Sequence, residues 1–283
     1  MKILYISGAG GADYQCDLVF HGLRSLLGPD CVDVNKLWFM YDSSEHYMFH
    51  TLYKKLPDIE VDRGDIQSKL ENTYFDAVVY GSIHRCRDHF DLVSRVYPRD
   101  KVAFIDGEDG PGIAPVNGCG WYFKRELYEP FEDVLPIQFG VPKEVIRPID
   151  LTRKKSLMAH CDPRDRSTMV YYDSETRYYD QYSDAWFGYT MKKAGWDAMR
   201  HHEILAAGCL PYFDGMNECP PLTLARFDRD VFKTARILCD ECSRNGHVNA
   251  GDASEIGYLI SKLRDNGLLT TEDLARLVLD RVS

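Results

Sequence analysis

Met1-Lys2-Ile3-Leu4-Tyr5-Ile6-Ser7-Gly8-Ala9-Gly10-Gly11 is the stretch that sets the architecture, because it begins a strand–turn–helix pattern that runs on into the next twenty residues. Residues 2–7 are a short apolar run rich in β-formers, and they enter a glycine turn. Residues 13–27 then place Leu18, Val19, Gly22, Leu23, Leu26 and Leu27 on one face at helical spacing. Gly28-Pro29-Asp30 stops that helix, and Cys31-Val32-Asp33-Val34 is a second strand. Strand, helix and strand so closely joined make a β–α–β unit. The pattern repeats: residues 75–80 form a strand ending at Gly81-Ser82-Ile83-His84-Arg85, and a helix starts near Phe90. Residues 101–105 form another strand, ending at Asp106-Gly107-Glu108-Asp109-Gly110. This alternation predicts an α/β fold with a parallel sheet, whose chemistry gathers at the carboxyl ends of the strands. Three clusters fall there: the glycine turn, His84-Arg85, and 106–109.

Residues 41–58 are polar and aromatic and read as a mobile loop or lid. Six of the thirteen prolines fall within 111–150, which marks a hinge between two domains, 1–140 and 141–283. A second α/β pattern comes next: a strand at 156–160, a helix over 166–178, a short aromatic strand at 185–189, a helix over 198–207, a strand at 210–213, and closing helices over 255–263 and 271–281, the last with its N-cap at 271–273. A length of 283 residues also fits about two domains. With 45% apolar and 28% charged residues, the composition is that of a soluble globular protein. No stretch approaches the roughly 18–20 apolar residues of a membrane span, and the first apolar run is too short for a signal peptide, so a cytoplasmic protein is expected. A net charge of −10 argues against a tight nucleic-acid binder. Nine scattered cysteines, an odd number, fit reduced thiols.

The most informative stretch is Lys192-Lys193-Ala194-Gly195-Trp196-Asp197-Ala198-Met199-Arg200-His201-His202-Glu203-Ile204-Leu205-Ala206-Ala207-Gly208-Cys209-Leu210-Pro211. Arg200 and Glu203 share a helix face, with Ile204, Leu205 and Ala207 apolar. A glycine before the helix lets backbone approach a ligand, and a helix start offers N–H groups to a diphosphate. Arginine can bridge phosphate oxygens, and a carboxylate can accept both hydroxyls of a ribose. An amphipathic helix with an internal Arg–Glu pair satisfies the same spacing.

Arg-x-x-Glu-Ile-Leu-Ala-x-Gly-x-x-Pro resembles the donor-site signature of GT-B glycosyltransferases, nearest to the exostosin-like and CgeB-like branch and related viral and phage enzymes. The segments 123–127, 106–109 and 219–224 add to the resemblance, which covers roughly residues 100–230. It implies two Rossmann-like domains with parallel sheets facing an interdomain cleft. It also implies sugar transfer from a nucleoside-diphosphate sugar to a hydroxyl acceptor, with no metal or other cofactor. Glu203 would hold the ribose and Arg200 the diphosphate, with Lys193, Gly195, Trp196 and Asp197 around them. The acceptor would be a glycan, lipid, protein or modified DNA base. Eight positions before Glu203 stands Gly195, where many retaining members carry a second glutamate, so stereochemistry does not carry over.

Gly10 and Gly11 would face the donor phosphates or the acceptor. Asp13 stands where a dinucleotide fingerprint needs its third glycine, which disfavours NAD. Asp106, Glu108 and Asp109 crowd carboxylates that can supply a general base, with His84 as the rival base. Lys124 and Arg125 would meet the leaving diphosphate. A DNA-modifying enzyme would need Arg85, Arg87, Lys124 and Arg125 to form a basic groove. A non-catalytic nucleotide-sugar binder is the third reading. Asp228-Arg229-Asp230 reads as a helix cap, and Cys239-x-x-Cys242 lacks the second pair a zinc site needs.

Overall fold

The structure is a computed structural model and describes residues 1–8, 11–48, 50–116, 118–168 and 174–283. The chain forms two compact units, Met1–Pro142 with Thr270–Ser283, and Lys143–Leu269. The sequence predicts a second domain at 141–283; the second unit is instead Lys143–Leu269, and residues 270–283 belong with the first.

The first unit contains β1 (Ile3–Ile6), α1 (Tyr14–Leu27), β2 (Cys31–Asp33), α2 (Ile66–Glu71), β3 (Ala77–Tyr80), α3 (Phe90–Val96), β4 (Val102–Asp106), β5 (Trp121–Lys124) and β6 (Val134–Pro136). The second contains β7 (Ser156–Met158), α4 (Glu175–Ser183), β8 (Ala185–Met191), α5 (Met199–Ala206), β9 (Leu210–Asp214), α6 (Arg229–Asn245) and α7 (Ala250–Gly267). Helix α8 (Thr271–Val282) returns to the first unit. The expected α/β fold with parallel sheets is present in both units, each alternating strands and helices in the Rossmann-like manner.

The six strands of the first unit run parallel in the order β2-β1-β3-β4-β5-β6. This is the 2-1-3-4-5 winding of the doubly wound folds, and the order reverses between β1 and β3. Ligands of such sheets sit in the crevice beyond the carboxyl ends of those two strands. Every residue of β1, β3 and β4 is buried, which is why these strands read as continuous apolar runs. Leu4, Ile6, Val78, Tyr80 and Phe104 share one face with Leu70 of α2 and Val93 of α3. α1 and α8 pack on each other and against β4. Gly22 makes this possible, since a Cβ there would stand 1.8 Å from the Thr271 carbonyl oxygen. Thr270, rather than a residue of 271–273, caps α8 through a capping box with Asp273, an arrangement worth about 1 kcal/mol.

The segment expected as a mobile loop or lid, residues 41–58, is anchored at several of its described residues. Tyr41 bridges to Leu56 and donates from its hydroxyl to Asp33 at 3.1 Å. His50 is buried 3.5 Å from Asp17 and stacks on Tyr14 with ring centroids 4.3 Å apart. Leu52 and Leu56 within the segment and Phe39 and Met40 just before it are all buried, and their apolar surface holds it in place. The proline-rich stretch is no bare hinge either, since it contributes β5 and β6 to the sheet.

In the second unit β7, β8 and β9 are parallel and adjacent in that order. The helix expected over 166–178 begins only at Glu175, capped by Ser174, after a 3-10 turn at Arg166–Thr168. Residues 169–173 lie outside the described residues. α5 lies close on β8, where a Cβ on Gly188 would come 2.9 Å from Ile204 Cγ2. Its C-terminus ends at Gly208 with φ +76°, a conformation that favours glycine. Arg264 donates to the Leu205 and Ala206 carbonyls at 2.8 and 2.9 Å, and Lys154 donates to the Gly208 carbonyl at 2.7 Å. Two cations thus complement the negative end of the helix dipole. Asp228 caps α6, accepting from the Asp230 N–H. No helix among the described residues is long and apolar enough to cross a membrane.

Candidate functional site

The first unit gathers its chemistry at the carboxyl ends of β3, β4 and β5, beside the point where the strand order reverses. Asp106 ends β4, and the parallel register sets it beside Lys124 of β5. Their side chains are fully buried and 2.9 Å apart. Tyr122, two residues before Lys124 and therefore on the same face of β5, donates its hydroxyl to Asp106 Oδ2 at 2.5 Å. His84 Nε2 stands 3.0 Å from that same oxygen. The Glu108 N–H donates to Oδ1 at 3.1 Å. Asp106 thus meets the Lys124 ammonium, the Tyr122 hydroxyl, the Glu108 N–H and the His84 ring with its two oxygens. In the tautomer with the proton on Nε2, His84 donates to Asp106 and keeps its lone pair on Nδ1, on a side chain that is 32% exposed.

The other expected residues of this region divide clearly. Glu108 and Arg85 lie 3.4 Å apart at the surface, and Arg85 is equally far from Asp13. Asp109 is exposed and ion-paired with Arg125. Arg125 is buried, donating to the Gly107 carbonyl at 2.9 Å and to Glu126 at 3.0 Å. Lys124 and Arg125 are therefore neutralised inside the unit and present no cationic surface, contrary to the role expected of them toward a diphosphate or a DNA groove. Gly11 is exposed with φ +103°, while Gly10 lies outside the described residues. Asp13 caps α1 and accepts from the Ser82 hydroxyl at 2.8 Å, which ties the ends of β1 and β3 together. Burial, helped by Asp106, pushes the Tyr122 hydroxyl far above its ordinary range. A hollow of about 680 Å³ bounded by Gln67, Arg87, His89 and Arg95 holds Arg87 of the expected DNA-groove residues but not Arg85, Lys124 or Arg125.

In the second unit the loop from β8 to α5 holds Lys193, Gly195, Trp196 and Asp197, and so lies at the carboxyl end of the central strand. Two histidines of α5 fasten it. His201 bonds the Thr190 hydroxyl and the Trp196 carbonyl oxygen, each at 2.8 Å, and His202 Nε2 bonds Asp197 Oδ1 at 2.8 Å. Asp197 is thereby a buried anchor of the loop. Burial holds the His201 imidazole down to about 3, so it stays neutral. Lys193 N–H closes the turn on the Gly195 carbonyl at 3.0 Å. Lys192 lies over the Trp196 ring, 4.9 Å from its centroid. Arg200 and Glu203 lie on the side of α5 that meets α4, at 5% and 7% exposure. Tyr178 donates to Glu203 Oε2 at 2.8 Å. After β7, Asp162 is held below the usual carboxylate range by Arg164, whose guanidinium sits 3.6 Å from the centroid of the Tyr189 ring.

Tyr122, Asp13, Ser82, Tyr178 and the two helix histidines are absent from the sequence-based set. The i, i+2 spacing of Tyr122 and Lys124 is the one local signal that could have found any of them. The rest depend on strand register and on α4 meeting α5. Among the described residues no group of three or more His, Cys, Asp or Glu side chains is arranged to hold a metal ion. No family model, curated protein or solved structure matches this chain.

Proposed function

We propose that this chain is a glycosyltransferase of the GT-B type, moving a sugar from a nucleoside-diphosphate sugar to a hydroxyl acceptor. The observation that carries the reading is the His84–Asp106 pair at the carboxyl edge of the first sheet. A part-exposed imidazole, oriented by a buried carboxylate, suits a general base. His84 Nδ1 would remove the acceptor hydroxyl proton as the acceptor oxygen bonds to the sugar's anomeric carbon. The bond from that carbon to the β-phosphate oxygen breaks, and the nucleoside diphosphate leaves. Asp106 acts through His84 by fixing its tautomer and stabilising the imidazolium. Glu108 and Asp109 are less suited to the task, being paired to Arg85 and Arg125 in the open.

The second unit supports the donor half. The loop between β8 and α5 lies where parallel sheets bind ligands, and α5 starts without a side-chain cap, so the positive end of its dipole faces that loop. Arg200 and Glu203 are the cation and the ribose acceptor of this reading, and their burial against α4 means that α4 must yield for a donor to reach them. Acceptance of a modified DNA base is disfavoured by the burial of Lys124 and Arg125.

The test is turnover and donor affinity across a panel of nucleotide sugars. His84→Gln should lower kcat about 10²–10⁴-fold with donor affinity unchanged, whereas Glu203→Ala should weaken donor binding. Donor binding with neither transfer nor slow hydrolysis would leave a non-catalytic nucleotide-sugar binder. An H84Q variant as active as the parent would remove the base from the scheme.

A further inference from the structure

We infer that the first unit carries a carbohydrate platform on residues 38–48 and 50–53, whose ligand is a neutral glycan chain. It deepens the acceptor side of the transferase reading and rests on that reading only for the glycan's role as acceptor.

Trp38 and Tyr47 are each 49% exposed, although burying rings of that size is normally favourable. They belong to two ring pairs on neighbouring stretches of the same segment. Trp38 meets His46 edge-on with centroids 6.4 Å apart, and Tyr47 meets Tyr53 edge-on at 5.1 Å. Two exposed rings, each in an edge-on pair within sixteen residues, form an apolar surface on which a ligand can stack.

The rings stand on a fixed base. Phe39, Tyr41 and Leu52 beneath them are buried, and His50 is clamped between Asp17 and Tyr14 of α1. The segment comes after β2 and rests on the first turn of α1. Asn35 just before it donates to the Ser7 carbonyl at 2.6 Å. The platform therefore lies on the carboxyl edge of the sheet, the edge that carries His84.

Charge selects the ligand. Residues 36–58 hold three lysines and three carboxylates, and Lys36 is bonded to Asp58 at 2.6 Å. Single-stranded nucleic acid binders pair their aromatic rings with a basic groove, and this stretch has no excess of positive charge. A pyranose has what the surface asks for. Its C–H face stacks on an aromatic ring, while its hydroxyls bond the carboxylates and lysines around the rim.

Calorimetric titration of the whole chain, without any nucleotide sugar, tests this. The probes are linear hexasaccharides of glucose, N-acetylglucosamine and mannose, with a twelve-residue oligothymidylate as the charged rival. At least one hexasaccharide should bind saturably, about tenfold more weakly to Trp38→Ala and to Tyr47→Ala. Trp38→Phe, which keeps a ring, should recover much of the loss, and circular dichroism confirms that each variant folds. The inference is overturned if no hexasaccharide binds, if both alanine variants bind like the parent, or if the oligothymidylate binds more tightly than every sugar. Glycan binding without sugar transfer would count against the catalytic reading and leave the platform standing.

Discussion

Replacing Lys124 by methionine should be among the most damaging single changes in the first unit. The ammonium and the Asp106 carboxylate are 2.9 Å apart and both fully buried. Methionine fills nearly the same volume, so packing changes little and the loss is electrostatic. Asp106 would keep Tyr122, His84 and the Glu108 N–H as donors but lose its counter-charge. Breaking a buried pair from one side costs about 3–5 kcal/mol. Asp106→Asn should cost a similar amount, because it strands the ammonium. The double variant removes both charges and should return to within about 2 kcal/mol of the parent, since neutral replacements of buried pairs are often tolerated. The coupling energy should therefore be about 3 kcal/mol or more. Two compact units make a single unfolding transition unsafe to assume. The readout is accordingly the opening free energy of β4 and β5 amides by hydrogen exchange. A K124M cost below about 1 kcal/mol, the range of exposed pairs, would refute the reasoning, as would strictly additive single effects.

Two further expectations concern stability. Gly22→Ala should loosen α8 from α1, because the added methyl would overlap the Thr271 backbone; overpacking of this kind costs about 1–3 kcal/mol or more, and unchanged exchange protection in α8 would contradict it. His201 is depressed to about 3 in the fold by burial and titrates near 6.5 when unfolded. The unfolded chain therefore takes up the extra proton between those values, and the second unit should lose about 1.4 kcal/mol per pH unit as pH falls from about 6.5 toward 3. His201→Asn should flatten that slope in urea titrations run at several pH values, with no difference above about pH 7; parallel slopes would rule out the assignment.

The strands are legible because parallel strands buried on both faces are nearly continuous apolar runs, and residues 3–6, 77–80 and 102–105 are. The helix over 13–27 is legible from its spacing and its Gly28-Pro29 stop. The order of the strands is not, since nothing local tells β3 which side of β1 to join. The same gap affects the site. Asp106, His84 and Lys124 all stand out in the sequence, yet its pattern points Lys124 at a diphosphate. Only the register that pairs it with Asp106 makes it a buried counter-ion. Asp197 looks like a ligand contact until His202, on the next helix, claims it. Residues 41–58 mislead because their polar and aromatic surface hides the anchors Phe39, Leu52 and Leu56.

The return of α8 to the first unit bears on how the protein is made. The second unit is one unbroken stretch of chain and can complete itself as soon as it leaves the ribosome. The first unit cannot, because the seat that α8 takes beside Gly22 on α1 stays uncovered until Thr271–Val282 emerges. For the whole time that Lys143–Leu269 is being synthesised, a sticky stripe on the nascent first half has no mate. That interval is when a chaperone would have most to hold.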